Sequence, residues 1–415
     1  MAVIPSIVEQ HAQEAAFLGL LRSRAVCAPH YSLRDLVKLD YRLDANLDGL
    51  ILAEDFGWTL CEQLLTEEGA VGVFTGIVVA ISTGDQARIR QVMEWAASQN
   101  LSRGLVAGLG WLPFARIKPH IDAVLTAELP AMRRVGIAAC AIHGEYPGMT
   151  LLKAVLETDP LLKARALRAA GELGQRDLIY AAEDFLDSED EAVRFAAAWS
   201  VALRRGTSRA IETLTAMSDA GSRFSEYAAQ VAMRRMDAGE AKTWLLGMSQ
   251  NGCHRLAIAA AGALGDPDLI PWLILQMGQT TLARAAGEAF TLITGADLTK
   301  ENLAAERPGQ FETDTDEDPE NENVSADADE DLPWPAPALV QSWWNAHANQ
   351  FQMDTRYLLG KRITAEWATG VLQTGRQRQR SAAALELAIL EPHTPLFNIK
   401  TPGFRQLELL SKPSD

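Results

Sequence analysis

Residues 193–206 read VRFAAAWSVALRRG. Alanine has the highest helix propensity and almost no bulk, so this segment is a helix able to approach a neighbour at the short end of the usual range of about 8–10 Å. The closing glycine can take the left-handed conformation that satisfies the last free carbonyls, which marks a helix end. The same design returns in ARALRAAGELG (164–174), HRLAIAAAGALG (254–265) and LARAAGEAFTLITG (282–295).

Two ladders frame these helices. Arginines recur at Arg103, Arg134, Arg165, Arg194, Arg223, Arg255 and Arg284, at intervals of 31, 31, 29, 29, 32 and 29 residues. Glycines at Gly144, Gly174, Gly206, Gly239, Gly265 and Gly295 follow most of them by about ten residues. Before each Ala-rich helix stands a partner with larger apolar residues at helical spacing, such as HIDAVLTAEL (120–129), LIYAAEDFL (178–186) and LIPWLILQM (269–277). The unit is a helical hairpin. Such pairs cannot bury their apolar faces alone, whereas stacking gives one continuous core, so the chain is predicted to be an all-α solenoid.

The periodicity divides the chain. Residues 1–46 read as an N-terminal helical cap with helices over Ile7–Ser23 and Leu33–Asn46, and 47–298 as the repeats, Leu47–Ile81 being a degenerate first pair that lacks the arginine. Residues 299–332 read as an acidic linker, rich in carboxylates and poor in bulky apolar groups and therefore expected to be disordered. Residues 333–415 read as a C-terminal helical cap. Its Trp343, Trp344 and Trp367 offer large contact area, and Arg376, Arg378 and Arg380 form the most basic run, able to hold the acidic linker or an anionic partner. These six are the candidate partner-binding residues, although the tryptophans also read as plain core.

The net charge of −16 argues against a phosphate-backbone binder, which needs a basic stripe. Eleven carboxylates between Glu312 and Asp331 carry most of it. No apolar run is long enough to cross a bilayer, Gly69–Ile81 being the longest, and the N-terminus lacks a signal-like pattern, so a cytoplasmic location is expected. Cys27, Cys61, Cys140 and Cys253 lie far apart and read as buried reduced thiols. Asp314–Ser325 alternates carboxylates as a calcium loop does, but Pro319 stands where the turn needs glycine and Ser325 where a bidentate Glu is needed.

None of the seven histidines forms a metal-binding step, no nucleotide or hydrolase motif occurs, and adjacent Cys253 and His254 point about 100° apart on a helix. Neither a catalytic centre nor a cofactor or metal is expected. Trp111, Trp199 and Trp272 would have to face a groove for a glycosylase-like role, which the charge disfavours.

The hairpins, with short turns such as LGDPDL (264–269), resemble HEAT repeats, in particular the compact class seen in phycobilisome-lyase-like proteins, over Asp85–Asp297. The resemblance implies that the ladder arginines bond carbonyls or acidic groups of inter-helix turns, with Asp159, Asp190 and Glu191 at hand. The segments IVEQHAQEAAFL (7–18), LRDLVKLDYRLDANLDGL (33–50), ITGADL (293–298) and GRQRQRSAAALELAILEP (375–392) are similar to a family of bacterial proteins often encoded in type VI secretion gene clusters. That likeness implies a protein-binding scaffold serving as an accessory, adaptor or chaperone-like factor for secreted effectors. The alternatives are an effector-neutralising protein and, from the repeat type alone, a lyase-like or tetrapyrrole-binding protein.

Overall fold

A computed structural model describes residues 3–219, 221–307 and 327–411. Four helices open the chain: α1 (Pro5–Ala25), α2 (Leu33–Leu52), α3 (Glu54–Glu67) and α4 (Gly69–Thr83). Seven hairpins follow, pairing α5 (Gln86–Ser98) with α6 (Ser102–Trp111), α7 (Phe114–Leu125) with α8 (Pro130–His143), and α9 (Met149–Leu156) with α10 (Pro160–Leu173). They continue with α11 (Arg176–Ala182) and α12 (Glu191–Arg204), α13 (Ser208–Asp219) and α14 (Ser225–Arg235), α15 (Ala238–Gln250) and α16 (His254–Leu264), and α17 (Ile270–Met277) and α18 (Thr280–Thr294). The predicted boundary at 46 falls inside α2, because the apolar spacing runs unbroken through Leu43, Leu47 and Leu50, all buried.

The even-numbered helices α4 to α18 stack on one another in sequence and form the inner row, with the odd-numbered partners outside. Small residues set this geometry. A Cβ on Gly171 would lie 2.3 Å from Ser200 Oγ, and one on Gly108 2.2 Å from an Ile77 methyl, so larger side chains would force the row apart. Side-chain caps begin two inner helices, α10 and α12: Asp159 accepts from the Leu162 N–H at 2.7 Å and Asp190 from the Val193 N–H at 2.9 Å. These two carboxylates therefore satisfy helix N-termini instead of pairing with the ladder arginines.

After α18 the segment predicted as a disordered linker is in part ordered. Ala304–Ala305 (β1) pairs antiparallel with Trp334–Pro335 (β2), and 327–332 packs against the inner row. The Asp314–Ser325 run lies outside the described residues. Helix α19 (Pro337–His347) packs on α17 and closes the array's far end.

The remaining chain does not stay at that end. A small hairpin, β3 (Tyr357–Leu358) with β4 (Lys361–Arg362), leads into α20 (Ala365–Thr374), α21 (Gln377–Leu390) and α22 (Gly403–Ser411). Together they run along the C-terminal ends of inner helices and back toward the first helices. The Tyr357 N–H donates to Gly265 O and the Leu359 N–H to Leu292 O, while Arg204 donates to Ala388 O. Farther along, the Leu396 N–H donates to Glu172 O, Arg405 donates to Gly110 O and Trp111 O, and the Gly403 N–H reaches Asp40 of α2. The predicted cap is a returning strap that joins the last repeats to the first helices.

Candidate functional site

The strap follows from the electrostatics of helix ends. Each inner helix presents unpaired carbonyls and a negative dipole end at its C-terminus, and these invite cations. His143 Nε2 lies 3.0 Å from Leu109 O, with its imidazole pKa lowered by burial, and neighbouring helices supply cations in Arg204 and Arg235, which donate to Gly171 O and Leu203 O of the helix before. The strap supplies others, Arg356 bonding Leu264 O and Arg234 O. Arg356 and Arg234 also share the buried Glu386 carboxylate, Arg234 Nε lying 3.1 Å from it. Burial lowers the Arg234 and Arg204 guanidinium pKa values to about 10, well below the usual arginine range.

The glycine ladder gains a second purpose here. Gly265 has φ 75° and Gly295 φ 76°, and a Cβ on them would lie 2.3 Å from Tyr357 O and 2.6 Å from Leu359 O. The strap's backbone rests where side chains would stand. Gly239 does not belong to the series, because it sits in the first turn of α15 and α14 ends without a glycine.

The seven ladder arginines start inner helices but do not share one chemistry. Arg194 donates to Ser188 O and Glu189 O of its own turn, as the resemblance implied. In α8 that bond to turn carbonyls is made by Arg133 and not by Arg134, one residue of register apart. Arg103 is exposed, Arg165 pairs with Glu172 on its own helix, and Arg223 stands 3.6 Å from Glu191. Burial pushes the Glu172 carboxyl upward, but the charges and hydrogen bonds of Arg165 and Arg168 outweigh it and hold it low. Arg255 and Arg284 instead grip the acidic segment: Arg255 Nη1 is 2.6 Å from Asp329 Oδ2, and Arg284 bonds Asp327 Oδ2 at 2.6 Å and Asp329 O at 2.9 Å.

This grip borders a cavity of about 750 Å³ lined by α14, α16, α18 and α21 and by Val26 and Cys27 from the loop after α1. Arg378 reaches it from the strap, pairing with Glu288 at 2.6 Å and donating to Ala328 O and Cys27 O. Burial raises the Glu288 carboxyl despite Arg378. Of the basic run, Arg378 is the residue that touches the acidic segment. Arg376 pairs with Asp297, and Arg380 is fully buried, spending its guanidinium on Leu372 O, Gln377 and Gln406.

Among the tryptophans, Trp344 is buried and Trp343 bonds Glu301, which seats the end helix on the array, while Trp367 donates to Leu358 O within the strap. Trp111 and Trp199 are core, Trp111 donating to Asp44 and Trp199 stacked under Arg168 at 3.2 Å, and Trp272 packs on the core. All four cysteines are free, but Cys27 and Cys253 are exposed, contrary to expectation; burial raises the Cys61 and Cys140 thiols to about 12. His254 lies 3.0 Å from Ser249 Oγ. Asp266, Asp268 and Asp354 converge closely enough for a cation, and the Lys242 ammonium already stands among them at 3.3, 2.6 and 2.8 Å.

Residues 148–234, spanning α9 to α14, match the family profile for HEAT repeats. The fold is that of a HEAT-like repeat solenoid. Neither a curated protein nor a solved structure matches the chain. Among the described residues no helix of this solenoid is long and apolar enough to cross a membrane.

Proposed function

We propose that this HEAT-like solenoid is a non-catalytic protein-binding scaffold that engages its partner through the outer row. HEAT repeats commonly mediate contacts between proteins. The strap occupies the C-terminal ends of inner helices, away from the outer row. The observation that carries the reading is α9, whose Met149, Leu152 and Leu156 are 63%, 36% and 73% exposed along one helical stripe, flanked by exposed Tyr146 and Leu161. Contiguous exposed apolar surface of this kind marks interaction sites.

The partner role we favour is that of an accessory, adaptor or chaperone-like factor for a type VI secretion effector. It is supported by the likeness of the segments at 7–18, 33–50, 293–298 and 375–392. Neutralising an effector is the alternative within the same binding chemistry, and the tetrapyrrole-binding alternative rests on the repeat type alone. The test compares pull-downs from native cells by wild-type protein and M149D/L156D. A protein retained by the first and lost by the second, with both equally folded, supports the reading; identical recovery overturns it.

A further inference from the structure

We propose that Arg255, Arg284 and Arg378 form a recognition site for acidic, extended peptides, which the chain's own Asp327–Asp329 fills in the resting state. This site is independent of the α9 stripe. The bound segment displays the chemistry that fits: two carboxylates in the spacing Asp-x-Asp meet arginines from consecutive inner helices. The repeat therefore sets the spacing that is read. Arg284 also bonds the main-chain carbonyl of Asp329 and Arg378 that of Ala328, so backbone as well as charge is held.

Three observations favour displacement by a partner over a fixed structural plug. Asp329 is 3% exposed, yet its Oδ1 accepts no hydrogen bond among the described residues, Arg378 Nη1 standing 3.7 Å away. A buried carboxylate oxygen left in that state fits its site imperfectly. Next, the cavity of about 750 Å³ continues beyond Asp329, past Arg223, Tyr227 and Gln230. Lastly, the charges lining it are Arg223, Arg234, Arg255, Arg378 and Lys400 against Glu226, Glu288 and Asp329, so removing Asp329 leaves a cationic cleft. Glu226 and Glu288 face the same space; Glu288 is engaged by Arg378. A nucleic acid is disfavoured by the chain's net charge of −16.

The experiment uses the full chain and a labelled peptide of residues 324–333, VSADADEDLP, followed by fluorescence anisotropy. D327N/D329N should bind it at least about ten-fold more tightly than wild type, and about 0.5 M salt should weaken that binding. R255E/R284E on that background should abolish it, and a peptide with Asn at both Asp positions should not bind. A folded D327N/D329N that binds no peptide, or binds the Asn peptide equally, overturns the proposal. A second measurement on wild type covers a variant that fails to fold: excess acidic peptide should speed amide exchange at 327–332. Unchanged exchange there overturns the proposal, and preferential binding of a single-stranded oligonucleotide over the peptide overturns it as well.

Discussion

Single positions show how the sequence carries two messages at once. Gly265 ends α16 in the left-handed region and also admits the strap, whereas Gly84 ends α4 with the same φ of 75° and nothing within 4 Å of its absent side chain. Gly84→Ala should therefore cost about 1–2 kcal/mol, the left-handed penalty alone. Gly265→Ala should cost clearly more, because Tyr357 O must move, and urea midpoints of the two variants measure the difference. Glu386 is a sharper case. Removing its charge as Glu386→Gln leaves Arg234 buried without a carboxylate, a change that should destabilise by about 3–5 kcal/mol in chemical denaturation. The helix-ending glycines were legible in the sequence as caps. Their second task was not, since the atoms they make room for lie far downstream, Tyr357 for Gly265 and Leu359 for Gly295.

Elements were read well where periodicity is local. The alternation of bulky and Ala-rich segments gives the outer and inner helices, and buried Leu167, Ala197 and Ala260 stand on the faces that pattern marks. The inner row meets acid through Glu172. Its folded pKa is depressed, so its contribution to stability is complete above the unfolded value and is lost as pH falls through the folded one. Stability of wild type should thus decline faster below about pH 4.5 than that of Glu172→Gln, which a series of melting temperatures would show. Arg376, Arg378 and Arg380 were visible as a basic run, but spacing of two within one helix sends them in different directions, to Asp297, to Glu288 and into the core. The Asp327–Asp329 grip escaped notice because an acidic, bulk-poor segment satisfies every compositional sign of disorder, and only the distant arginines order it.

At the scale of the molecule, the strap changes how the array should unfold. Open solenoids approximate a sum of nearest-neighbour terms and can lose repeats one by one. Here, α21 and α22 touch α12 and α6 of the inner row and α2 before it, linking helices that are far apart in the stack. The full chain should unfold in one cooperative transition detected alike by tryptophan fluorescence and far-UV dichroism, and a chain ending at residue 352 should show two or more. Topology of this kind was beyond a repeat search, because the strap itself has no period.

The same return path fixes the number of hairpins. An ordinary stack tolerates duplication of a unit, growing longer at little cost to its neighbours. In this chain Gly403 must still reach Asp40, and Leu396 must still reach Glu172. An added hairpin would leave the strap a full step short of its anchors, so this returning segment works as a ruler that holds the protein to one length.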